Sequence, residues 1–122
     1  MAEDRKVVVN LATGLEDPER VTVAFLVGGA AVEAGKEVTM FLTKEAVRLA
    51  WPGVAEGVAC DGCPPLARLV EQYAQGGGEL LVCPICAKAR KLDESQIVAH
   101  ARIGGATPLW EWIGEGATVF SY

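Results

Sequence analysis

The feature that most constrains the fold of this chain is the alternation of short apolar segments with longer segments of helical pattern. The first apolar segment, Lys-Val-Val-Val-Asn-Leu, is rich in β-branched residues and has the length of a strand. Because strands that alternate with helices form βαβ units, the sequence predicts an α/β fold with a mainly parallel sheet of about five strands and helices on both faces. The predicted strands are residues 6–11, 37–42, 79–82, 101–103 and 117–121.

Capping residues and prolines mark the predicted helix boundaries. Asp17-Pro18 places an N-cap before a proline at the first helical position, and Gly35 suits the end of the same helix. Thr43 and Thr107 are predicted to cap two further helices. The predicted helices cover residues 18–34, 44–50, 65–75, 84–91 and 108–115. With 122 residues, the chain is expected to form a single domain over residues 1–122.

Aromatic and aliphatic residues of the last helix suggest a buried face and an exposed one. Leu109, Trp112 and Ile113 lie at positions i, i+3 and i+4, which predicts a core stripe. Trp110 points away from that stripe. Together with Trp51 it is a candidate for a subunit interface, where tryptophan is enriched.

The candidate functional site is the segment Val-Cys-Pro-Ile-Cys at residues 82–86, where the third strand turns into a helix. Cys83 falls at the N-cap, and Pro84 falls at the first helical position. A thiol there faces unpaired backbone N–H groups and the positive end of the helix dipole, a setting that favours the reactive thiolate. Cys86 lies one turn later on the same helix face. The sequence therefore predicts Cys83 as the reactive thiol and Cys86 as its partner.

A second cysteine pair opens an alternative interpretation. Cys60-x-x-Cys63 and Cys83-x-x-Cys86 are separated by 19 residues, a spacing typical of four-cysteine zinc sites. Only three glycines link the third helix to the third strand, so both pairs are expected at the carboxyl end of the sheet, where open α/β folds place their sites. The alternative is thus a structural or binding module that holds zinc without catalysis. A third interpretation is a binding module that uses no thiol chemistry.

Composition and charge exclude several classes of function. The net charge of −5 disfavours a nucleic-acid surface, because phosphate binding needs a basic patch. No apolar run approaches membrane-spanning length, and the charged start of the chain lacks the apolar core of a signal peptide, so a cytoplasmic protein is expected. His100, the only histidine, is not expected to act as a base. Glu45, Lys88 and Arg90 are interpreted as solvated surface charges.

Residues 78–90, Gly-Glu-Leu-Leu-Val-Cys-Pro-Ile-Cys-Ala-Lys-Ala-Arg, resemble the DsrE/DsrF-like family, in particular its small peroxiredoxin-like members. The Gly- and Ala-rich first helix and residues 104–109 and 115–121 extend the resemblance over most of the chain. It implies a Rossmann-like three-layer α/β/α fold and frequent homo-oligomers such as trimers or hexamers. It also implies sulfur relay between donor and acceptor proteins.

The resemblance assigns a chemical role to the first cysteine of the motif. Cys83 matches the position that holds a persulfide in family members that carry sulfur. Cys86, Cys60 and Cys63 depart from that one-cysteine pattern. An attack of Cys86 on a Cys83 persulfide would release sulfide and leave a disulfide, so thiol redox chemistry is as compatible with the pair as sulfur storage. Neither use of the thiols requires a cofactor or a metal.

Overall fold

The computed structural model describes residues 5–122 and contains a five-stranded sheet. Its strands are β1 (Lys6–Leu11), β2 (Glu37–Leu42), β3 (Glu79–Val82), β4 (Ala101–Ile103) and β5 (Thr118–Ser121). Each neighbouring pair runs parallel, and the spatial order is β4-β3-β2-β1-β5. The predicted α/β fold is confirmed, with a sheet that is parallel throughout.

Helices lie on both faces of the sheet because the order in which the chain adds strands changes direction across the sheet once. From β1 to β4 successive strands step towards one edge, and right-handed crossovers place the intervening helices on one face. The connection from β4 to β5 crosses the sheet to the other edge, beside β1, and its helix therefore lies on the opposite face. The helices are α1 (Pro18–Glu33), α2 (Leu66–Gln75), α3 (Pro84–Ala89) and α4 (Ala106–Ile113), with 3-10 turns at Lys44–Ala50 and Glu94–Gln96. Among the described residues no helix is long and apolar enough to cross a membrane.

The larger hydrophobic core lies between the sheet and helices α1 and α2. Tyr73 of α2 is completely buried there, and its hydroxyl donates a hydrogen bond of 2.6 Å to the carbonyl of Glu79. Its ring meets Phe25 of α1 edge to face, with 5.7 Å between ring centroids. A β-carbon at Gly28 would lie 3.3 Å from Met40 and 3.4 Å from the Tyr73 ring, so this glycine allows α1 to pack closely on the sheet.

Within residues 5–122 the opposite face carries one helix, α4, and its packing is thinner. Lys6 reaches across this face: its ammonium donates to the carbonyl of Trp112 at 2.6 Å and lies 5.3 Å from the centre of the Trp112 ring. No residue of α4 is fully buried in the described chain. The predicted core stripe of Leu109, Trp112 and Ile113 is therefore wrong in degree, because these side chains are only half-buried. A single helix on this face cannot enclose them on all sides.

Of three predicted helix caps, one is confirmed, one is right in position only, and one is wrong. The Asp17 side chain accepts a hydrogen bond of 3.1 Å from the Arg20 N–H and caps α1 as expected. Thr43 is the N-cap residue of the 3-10 turn Lys44–Ala50, as predicted, but its side chain makes no capping bond within the described chain. The N-cap of α4 is Gly105, so Thr107 lies inside the helix. The carboxylate is the strongest of these acceptors, and it is the one the structure uses.

Candidate functional site

Cys83 lies where the sequence places it, directly after β3 and at the N-cap of α3. Its backbone N–H donates to the carbonyl of Leu42 at 3.0 Å, which ties it to the end of β2. Its carbonyl accepts the first helical bond, 3.1 Å from the Ala87 N–H. Its side chain makes no capping hydrogen bond within residues 5–122. The backbone is therefore fixed on both sides, while the thiol does not serve as a cap.

Cys86 lies one turn further along α3, and both thiols are free. Both side chains are half-buried and pack against the main core cluster. Ile85, between them in sequence, is 78% exposed. The short helix thus turns its two sulfurs towards the protein and an isoleucine towards solvent. Cys83 stands at the start of α3 and Cys86 lies within it.

An ion-paired arginine fixes the far end of α3. Arg90 Nε donates to Glu45 Oε1 at 2.8 Å, and Arg90 Nη1 donates to the carbonyl of Cys86 at 3.2 Å. Arg48 Nε donates to the other oxygen of the same carboxylate at 2.9 Å. The hydrogen bonds from Arg90 and then Arg48 hold the pKa of the Glu45 carboxyl below its ordinary value. Glu45 therefore connects the turn after β2 to the helix that carries both thiols.

The loops after β1 and β4 lie close to the site, and the first of these approaches requires a glycine. A β-carbon at Gly14, in the loop after β1, would lie 2.7 Å from the carbonyl oxygen of Glu45. A β-carbon at Gly105, in the loop after β4, would lie 3.6 Å from the ring of Pro84. The segments that follow β1, β2, β3 and β4 therefore lie at one end of the sheet, the carboxyl end of its strands, where α/β folds place their sites.

The two cysteine pairs do not combine into one metal site, so the zinc alternative is not supported. Cys60 and Cys63 are joined to each other by a disulfide, with 5.1 Å between their Cα atoms. Across residues 5–122, no group of three or more His, Cys, Asp or Glu side chains is arranged to hold a metal ion. A spacing of three residues brings the two cysteines within disulfide distance of each other, so they bond to each other and not to a shared metal ion.

His100 lies at the other end of β3 from Cys83. Its carbonyl accepts a hydrogen bond of 3.0 Å from the N–H of Leu80, near the start of that strand. Its Nε2 is buried without a hydrogen-bond partner in the described chain, and burial lowers the pKa of its imidazole. The histidine is thus placed away from the thiols and offers no base to them.

Comparison with known proteins decides the family. A model of the DsrE/DsrF-like family matches residues 5–122. This chain belongs to the DsrE/DsrF-like family. The resemblance seen around Cys83 therefore extends over the whole described structure.

Two uncharacterised proteins are sequence relatives of this DsrE/DsrF-like chain. An uncharacterised protein of Methanopyrus kandleri is 29% identical over 104 residues, covering 85% of this chain and 83% of the relative. An uncharacterised protein of Methanocaldococcus jannaschii is 24% identical over 112 residues, covering 92% of this chain. The match spans only 40% of the length of that second relative.

Solved structures share the fold at low sequence identity. The ychN protein of E. coli superposes with a TM-score of 0.79 at 16% identity, covering 98% of this chain and 99% of that one. A protein of unknown function from Methanobacterium thermoautotrophicum gives a TM-score of 0.75 at 12% identity, with 98% and 100% covered. At these identities the likeness establishes the three-layer α/β/α fold.

Proposed function

We propose that this DsrE/DsrF-like protein is a cytoplasmic sulfur-relay or thiol-redox protein in which Cys83 accepts sulfane sulfur or electrons and Cys86 is its partner thiol. The observation that carries the proposal is the free thiol of Cys83 at the junction of β3 and α3, on a backbone held by Leu42 and Ala87. Membership in the family supports sulfur chemistry at this junction.

The proposed relay consists of two thiol exchanges. The Cys83 thiolate attacks the outer sulfur of a donor persulfide, the donor leaves as a thiolate, and Cys83 becomes a persulfide. An acceptor thiolate then attacks that outer sulfur and Cys83 leaves as a thiolate. No net oxidation occurs, because one sulfur–sulfur bond forms and one breaks at each step.

Cys86 gives the Cys83 persulfide a second possible reaction, the release of its outer sulfur as sulfide. Its thiolate attacks the inner sulfur of the Cys83 persulfide, hydrosulfide leaves with the electron pair, and a Cys83–Cys86 disulfide remains. Two electrons thereby pass from the two thiols to the departing sulfur. The placement of both cysteines one turn apart on α3 supports this step. Exposed Ile85 beside them offers an apolar contact to a donor or acceptor protein.

Replacing Glu45 by glutamine is expected to slow sulfur acceptance without removing it. The amide cannot hold Arg90 and Arg48 as the carboxylate does, so the end of α3 loosens while Cys83 stays in place. Single-turnover mass spectrometry with a persulfide donor measures the rate, and amide exchange at Ala87 measures the helix. Glu71→Gln on α2 is the matched control, because it makes the same chemical change at a carboxylate that accepts a hydrogen bond from the Gln75 side chain of its own helix.

The same substitution has a defined pH dependence. Because the folded-state pKa of Glu45 lies below its ordinary value of 4.5, its contribution to the folded state is present above that value and is lost as the pH falls through the lowered folded pKa. Wild type and Glu45→Gln should therefore differ at neutral pH and converge in acid. Equal helix exchange and equal rates at pH 7 would contradict the role of Glu45.

We further propose that the chain self-associates, as the family resemblance implies, through the surface formed by β5 and Trp110. In the described chain β5 pairs on one side only, and all four of its residues are exposed, with Val119 at 55% and Phe120 at 41%. Trp110 on the neighbouring α4 is 70% exposed. An edge strand with exposed apolar residues and an exposed tryptophan are each typical of a protein interface, and a second copy of this chain would cover them.

Light scattering tests this self-association. The wild-type protein is expected at a multiple of the 12.9 kDa chain mass, and Val119→Lys is expected to shift it towards the single-chain mass. Ile85→Lys makes the same chemical change at another exposed apolar position and should leave the mass unchanged. A single-chain mass for the wild type at working concentrations would contradict the proposal.

A further inference from the structure

The loop before α2 carries a disulfide that the chemistry at Cys83 leaves unused. Cys60 and Cys63 have the same spacing as Cys83 and Cys86, yet the two pairs are in different states. The first pair lies on a turn and is oxidised. The second lies on a helix and is free. The chain therefore holds two separate cysteine pairs that differ in local structure and in oxidation state.

The Cys60–Cys63 bond does not act as a long-range crosslink. It joins residues only three apart, inside a turn that is already closed by a 3.0 Å hydrogen bond from the Cys63 N–H to the Cys60 carbonyl. Gly62 supplies the positive φ of +76° that this turn requires. The stability that a disulfide gives by restricting the unfolded chain rises with the length of the closed loop, so it is near its minimum here.

Other contacts hold both ends of this loop. The Leu66 N–H donates to the Val58 carbonyl at 2.9 Å, and the Leu66 side chain is fully buried at the start of α2. Val54 and Val58 pack against the core cluster on the other side of the disulfide. Breaking the sulfur–sulfur bond would therefore leave the path of the chain on either side unchanged.

The disulfide is also open to attack from solvent. Asp61 and Gly62, between the two cysteines, are exposed, and so are Pro64 and Pro65 that follow. The cysteines themselves are only half-buried. A thiolate needs a clear approach to one sulfur of a disulfide, and this turn provides it.

We propose that Cys60–Cys63 is a second redox centre, a surface disulfide that exchanges two electrons with an external dithiol while the chain stays folded. A thiolate of the dithiol attacks one sulfur of the pair, and the other leaves as a thiolate that takes a proton from water. The second thiol of the dithiol then attacks the mixed disulfide. The products are the oxidised partner and two thiols at Cys60 and Cys63, so two electrons and two protons have moved.

Equilibration with graded mixtures of reduced and oxidised dithiothreitol tests the proposal. The Cys83→Ser, Cys86→Ser double variant isolates the pair, alkylation and intact mass spectrometry count its free thiols, and circular dichroism follows the fold. We expect a single transition from no alkylated thiol to two, with an unchanged circular dichroism spectrum. Alkylation that appears only together with loss of the spectrum would make the bond structural and overturn the proposal. An absence of any transition across the series would overturn it equally.

A second variant separates this centre from the proposed relay. In Cys60→Ser, Cys63→Ser the transition of the surface pair must disappear, while sulfur acceptance at Cys83 must persist. Loss of sulfur acceptance at Cys83 in this variant would mean that the surface pair is part of the relay and would overturn its assignment as a separate centre. Loss of sulfur acceptance in Cys83→Ser tests only the relay, so the two proposals fail independently.

Discussion

Replacement of Cys83 by serine is expected to abolish the gain of sulfur that the wild-type chain shows with a persulfide donor. The serine hydroxyl cannot attack a sulfane sulfur under conditions in which a thiolate does. Serine is also a preferred N-cap residue, so α3 should form at least as well as it does with Cys83. Intact mass spectrometry of the treated protein measures the loss, and circular dichroism verifies the fold.

Replacement of Cys86 separates storage of sulfur from its release. Without Cys86 no neighbouring thiol resolves the Cys83 persulfide, so the added sulfur should persist longer in Cys86→Ser than in the wild type. The wild type should instead release sulfide and lose two hydrogen atoms as the Cys83–Cys86 disulfide forms. Equal lifetimes of the persulfide in both proteins would contradict the role given to Cys86.

Truncation of Tyr73 to alanine is expected to cost about 3–5 kcal/mol of unfolding free energy, the range for a large aromatic side chain removed from a core. Its ring is completely enclosed and lies against Phe25. Its hydroxyl donates to the Glu79 carbonyl at the start of β3. Burial raises the pKa of Tyr73 well above its usual range, so the hydroxyl keeps its proton and remains a donor. Urea denaturation measures the change.

Tyr73→Phe is the matched variant, because it keeps the ring and removes only the hydroxyl. It is expected to cost about 1–3 kcal/mol, the cost of leaving the Glu79 carbonyl without this donor. The difference between the two variants then reports the packing of the ring. A cost for Tyr73→Ala no larger than that for Tyr73→Phe would mean that the ring does not support the core.

The strands were predictable because their signal is local. Runs such as Val7 to Val9 are β-branched and apolar, and the alternation with helices decides the class of fold. The order of the strands depends on which pairs meet across the sheet, and no local pattern carries that information. The packing of α4 was mispredicted for a related reason. Helical spacing identifies an apolar face at Trp112, but the number of layers over that face is a property of the whole sheet.

The position of Cys83 was predictable because strand, cysteine and proline adjoin in sequence. The contact of Glu45 with Arg90 was not, because the partners are 45 residues apart and each resembles an ordinary surface charge. The pairing of Cys60 with Cys63 was missed for the opposite reason. Their spacing suits both a zinc site and a local disulfide, and the spacing alone does not distinguish the two.

Fragmentation mass spectrometry on persulfide-treated wild type, alkylated before Cys86 releases the added sulfur, tests the central claim most directly. The peptide that contains Cys83 and Cys86 is isolated after alkylation, and fragments that break the chain between the two cysteines locate the added sulfur. We predict that the sulfur is found on Cys83 and that the peptide with Cys60 and Cys63 carries none. Sulfur located on Cys60 or Cys63, with Cys83 unmodified, would contradict the account.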